Sequence, residues 1–144
     1  MAVLIVDDHA GVGCAGWVFR TILGEVAQVL EEGEQVALAG WLNDENSGPQ
    51  VYGHLDVREL TPENQRAFRK ALPVAFERSN DQGASAWADP SFWPGYIRLF
   101  EGLVDQIRAI EAGRAPKPPQ NLNSIPDAGG PRAGPGWDDI EPTS

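Results

Sequence analysis

The sequence predicts a mainly α-helical fold, a compact bundle of about four helices with one or two short extended segments. Three observations lead there. Apolar residues recur at helical spacing in long stretches, helix punctuation falls at the ends of those stretches, and β-formers alternate only in two short runs. Val3-Leu4-Ile5-Val6 is the first of these runs, ended by Asp7-Asp8. Trp17, Phe19, Ile22, Leu23, Val26, Val29 and Leu30 then mark a long helix stopped by Gly33. Residues 34–45, with Val36, Leu38, Trp41 and Leu42, predict a shorter antiparallel partner before the loop from Asn43 to Pro49. Val51 to Val57 alternates and reads as a strand or extended connection. Thr61-Pro62 opens the next helix, because threonine caps free amides and proline suits the first helical position. Its apolar stripe is Ala67, Phe68, Ala71, Leu72, Ala75 and Phe76, and Pro73 is expected to kink or split it. Ile97, Phe100, Leu103, Val104, Ile107 and Ile110 define the last helix, ending near Gly113.

Composition divides the chain into an acidic, mainly helical domain over 1–112 and a Pro/Gly-rich tail over 113–144 that lacks the apolar content for its own core. The net charge is −10, and the body holds 17 acidic against 8 basic residues, so −9 resides in the folded part. Such a charge repels nucleic-acid phosphates and anionic membrane surfaces, leaving a protein with a basic surface as the natural partner. A single cysteine cannot form an internal disulfide, and the apolar start lacks the charged leader of a signal peptide. No run approaches the ~20 apolar residues of a spanning helix. A cytoplasmic protein is expected.

Val3-Leu4-Ile5-Val6-Asp7-Asp8-His9 resembles the first strand of response-regulator receiver domains, and Leu55-Asp56-Val57-Arg58 resembles the strand end carrying their phosphoacceptor. The resemblance implies an alternative α/β receiver-like fold in which Asp7, Asp8 and Asp56 form a phosphoacceptor and magnesium site. It covers roughly fifteen residues. The family's Ser or Thr strand is displaced by the helical stripe from Ala67 to Phe76, and Lys117-Pro118 follows no strand.

Other chemistry is sparse. His9 and His54 each stand beside carboxylates, a donor set suited to zinc or iron if the segments meet, but with no metal-site spacing. Gly11-Val12-Gly13-Cys14-Ala15-Gly16 lacks the Gly-Lys-Ser/Thr ending of a phosphate loop, and Cys14 reads as a small buried thiol approaching a helix. No catalytic constellation and no cofactor motif stands out, so a non-enzymatic role is expected.

Binding candidates are more numerous. Trp87, Phe92, Trp93 and Tyr96 crowd ten residues with Asp89 among them, either packing inward or presenting Trp87, Asp89 and Trp93 to a partner. Asp44 and Glu45 form an acidic loop, and Trp137, Asp138 and Asp139 resemble a short docking segment at the end of the tail, one that an adaptor would use. In charge and size the chain is similar to bacterial toxin-neutralising immunity proteins. That similarity implies an inhibitor that presents carboxylates to the basic cleft of a cognate toxin.

Overall fold

The structure, a computed structural model, describes residues 2–116. Trp137, Asp138 and Asp139 lie outside these residues, as does the tail after Pro116.

Two strands open the fold, β1 (Ala2–Asp7) and β2 (Ala10–Cys14), paired as an antiparallel hairpin with an irregularity between Ile5 and Asp7. Alternation fixes their orientation: Ala2, Leu4 and Val6 are buried in β1, and Ala10, Val12 and Cys14 in β2. Close approach needs glycine here, since a Cβ on Gly11 would meet the Leu4 carbonyl oxygen at 2.7 Å.

The first helix, α1 (Gly16–Glu32), buries Val18, Phe19, Ile22, Leu23, Val26, Ala27 and Leu30. It stops at Gly33, as expected, but the left-handed residue is the next one. Gly33 keeps an ordinary φ of −89°, and Glu34 takes the left-handed conformation with φ of 68°. The Gln35 amide bonds the Leu30 carbonyl at 2.8 Å and the Glu34 amide the Glu31 carbonyl at 3.1 Å, closing the helix with the left-handed turn usually given to glycine.

The second helix, α2 (Val36–Leu42), packs on α1 through buried Leu38, Ala39 and Leu42. The segment expected to be extended from Val51 is split. Pro49–Tyr52 forms a one-turn helix, α3, with proline at its start and Gly53 at φ 63° as its end, and only His54–Asp56 is a strand, β3. Proline's preset φ and a left-handed glycine outweigh the β-propensity of Val51 and Tyr52. Strand β3 runs parallel to β1, with Leu4 opposite Leu55 and Ile5 opposite Asp56, giving the sheet order β2-β1-β3.

Thr61 caps α4 (Pro62–Gln82) by accepting from the Asn64 amide at 3.1 Å. Of the expected kink or split, the split does not occur: the helix continues through Pro73 as one element. Phe68, Ala71, Leu72, Ala75 and Phe76 on both sides of the proline are buried, and that burial outweighs the lost hydrogen bond, about 3 kcal/mol in a helix interior. Helix α5 (Trp93–Glu111) completes the fold, buried at Tyr96, Leu99, Phe100, Leu103, Val104 and Ile107. Helices α1, α4 and α5 pack in the order α1 on α4 on α5, with Phe76 and Phe100 in edge contact at 5.6 Å.

The described fold is thus mainly α, with five helices rather than about four, and the extended segments form one three-stranded sheet. No helix among the described residues is long and apolar enough to cross a membrane.

Candidate functional site

Parallel pairing of β1 and β3 brings the acids at their ends together, as a receiver-like arrangement requires, but arginines occupy the convergence. Arg58 donates to Asp56 from Nη2 at 2.6 Å and from Nε at 2.9 Å, and from Nη1 to Asp8 at 3.2 Å. This pairing holds the Asp56 carboxyl below the usual carboxylate range. Asp7 meets a different cation, Arg69 of α4, at 3.3 Å. Nε and Nη2 of Arg69 also donate to the Val6 carbonyl at 3.1 and 2.8 Å, fixing α4 to the sheet. His9 and His54 are exposed, and among the described residues no group of three or more His, Cys, Asp or Glu is placed to hold a metal ion. Cys14 is fully buried, which pushes its thiol up to about 12 and keeps it protonated, the opposite of what a nucleophile needs.

The aromatic segment packs inward. Trp87 lies 5.6 Å from Trp17 in edge contact and 4.9 Å from Tyr96, and Tyr96 continues to Phe100 at 5.8 Å. Trp93 is half-buried against the core, its indole nitrogen buried without a hydrogen-bond partner among the described residues. Asp89 accepts from the Ser91 amide at 3.1 Å and hydroxyl at 2.7 Å, holding the turn that leads into α5. These residues join α5 to α1.

Exposed apolar surface lies elsewhere. Of the five large hydrophobics exposed among the described residues, four sit on α2 and α3: Val36 at 62%, Trp41 at 38%, Val51 at 45% and Tyr52 at 75%. The loop between the two helices is closely hydrogen-bonded. Asp44 accepts from the Asn46 amide at 2.7 Å, the Ser47 amide at 3.1 Å and the Ser47 hydroxyl at 2.7 Å, contacts that hold its carboxyl below the usual range. Gln50 donates to the Leu42 carbonyl at 2.8 Å, and a Cβ on Gly48 would run into the Trp41 carbonyl. Asp44 therefore shapes the loop, and neighbouring Glu45 is exposed.

Charge is segregated along the same lines. Residues 31–59 carry seven carboxylates against the single cation Arg58, a net −6 of the body's −9. Glu32 is engaged by Arg78 at 2.7 and 2.8 Å, leaving Glu31, Glu34, Glu45 and Glu59 as exposed carboxylates of this stretch. Residues 62–111 instead hold seven acids and six cations, close to balance.

Sequence reasoning named Asp44 and Glu45 as candidates but not their apolar neighbours. Val36 and Trp41 read as an inward stripe, and Val51 and Tyr52 as a strand. Pro49 and Gly53, which delimit α3, were the available signal. Comparison with family models, curated proteins and solved structures finds no match to this chain.

Proposed function

We propose that the chain is a non-enzymatic protein-binding protein, an inhibitor of the immunity type that neutralises a basic partner, such as a bacterial toxin, by covering its active site. The observation that carries this reading is that one stretch of chain, residues 31–59, holds four exposed large hydrophobics and two thirds of the body's net negative charge. Trp41 and Tyr52 supply rigid anchors of the kind that dominate binding energy once water is excluded. Glu31, Glu34, Glu45 and Glu59 supply the field that accelerates encounter with a basic surface. Asp44, Gly48 and Gln50 hold both helices in place before the partner arrives, which lowers the ordering cost of binding.

Glu34 supports the same reading. A non-glycine residue in the left-handed region costs roughly 1 kcal/mol, and this one places a carboxylate where glycine would relieve the strain. Trp87, Asp89 and Trp93 are assigned to the scaffold and not to the interface.

The test is affinity capture from the source organism with the wild-type chain and with the double variant Trp41→Glu, Tyr52→Glu, followed by expression of the captured partner alone and with each chain. The reading expects one basic partner that is toxic alone, is silenced by the wild-type chain and escapes the variant. A partner harmless by itself, or one held equally by both chains, contradicts it.

A further inference from the structure

The near-neutral half of the molecule contains a groove of its own. On α4, Arg66 is followed at three and four residues by Arg69 and Lys70, and these in turn at four and three by Pro73, so the four lie along one side of the helix. Ile107 and Ile110, three apart on α5, form the opposite wall, and the cleft between them has a volume of about 500 Å³. That falls within the size range of small-ligand sites, and the lining joins three apolar residues to five charged ones.

Only one of the three cations offsets a neighbouring charge. Arg69 is fixed by the Val6 carbonyl and Asp7, whereas Arg66 and Lys70 form no ion pair among the described residues. Arg66 repels Arg69 and Lys70, three and four residues on, by a few tenths of a kcal/mol per pair. Two carboxylates also line the cleft, Asp7, already paired with Arg69, and Glu111, next to Ile110 at the end of α5. The lining therefore keeps an excess of positive charge in a chain of net charge −10.

We infer that this groove is a binding site for a small organic anion, its carboxylate or other anionic head between Arg66 and Lys70 and its apolar body on Pro73, Ile107 and Ile110. Arg69, anchored to the sheet, sets the position of the cationic face. The site is separate in sequence and charge from the acidic stretch 31–59, and does not depend on what that stretch binds.

The experiment titrates isotope-labelled full-length chain with 1-naphthoate and, separately, with the uncharged 1-naphthalenemethanol, following amide shifts. Naphthoate is expected to move residues 66–73 and 107–111 and to bind roughly tenfold tighter than the alcohol, a charge-assisted contact being worth about 1.4 kcal/mol. The variant Arg66→Glu, Lys70→Glu should lose that preference while Arg98→Glu keeps it, with circular dichroism confirming that both fold. Equal binding of acid and alcohol, shifts centred elsewhere, or an unchanged preference in the double variant overturns the assignment. The Trp137→Ala, Asp138→Asn, Asp139→Asn chain adds a control, because tighter naphthoate binding there would give the groove to the chain's own acidic segment instead of a free ligand.

Discussion

Arg58 grips Asp56 through two parallel hydrogen bonds, at 2.6 and 2.9 Å, and reaches Asp8 with its remaining terminal nitrogen. Sequence places three acids at the ends of two strands, and the fold brings those strands side by side. A guanidinium then fills the space between two of the acids.

Arg58→Ala should lower the melting temperature at neutral pH, and the loss should vanish in acid. The folded Asp56 carboxyl lies below its unfolded value, so the pair's contribution is fully present above about pH 4 and disappears as pH falls through the folded value. Thermal melts of both chains from neutral pH down to about 2 would check this. A difference that persists at the acid end would point to lost packing.

Because Arg58 and its own amide occupy the Asp56 oxygens, labelling of the wild-type chain by a small acyl phosphate with magnesium is expected to fail. A covalent phosphate detected by mass spectrometry and lost in Asp56→Ala would restore the receiver-like alternative.

Glu34→Gly should stabilise the protein by roughly 0.5–1 kcal/mol, since glycine takes the left-handed turn without strain but gives back part of the gain through a freer unfolded chain. Denaturant unfolding measures it. The same change should weaken partner association by removing one carboxylate, so the two effects have opposite signs.

Tyr96→Phe should cost about 1–2 kcal/mol, because the Tyr96 hydroxyl lies 3.2 Å from the buried Ser79 hydroxyl and its removal leaves that group without its partner. Replacing Ser79 by alanine in the same chain should recover part of the loss, a double-mutant comparison read by chemical denaturation.

The long helices were legible because their signals are local. The repeat from Trp17 to Leu30 and the Thr61-Pro62 start lie within the segments they describe. Strand β2 was not. Ala10-Gly11-Val12-Gly13-Cys14 carries little β-propensity, and its pairing with β1 depends on Gly11, where a larger residue would collide. Tyr52 illustrates the same limit, since its type favours a strand but Pro49 and Gly53 turn it outward on α3. The acidic loop could be picked out as a candidate from composition. That Trp41 faces solvent while Leu38, Ala39 and Leu42 face α1 depends on how α2 packs, which periodicity over seven residues does not decide.

The central claim is that residues 31–59 form the binding surface, and stopped-flow association with the captured partner tests it most directly. The account predicts that raising salt from about 0.05 M to about 0.5 M slows association at least roughly tenfold, while Trp41→Ala and Tyr52→Ala each raise the dissociation constant by about tenfold or more, mainly through faster dissociation. Salt-insensitive association, or full affinity after both aromatic truncations, would contradict it.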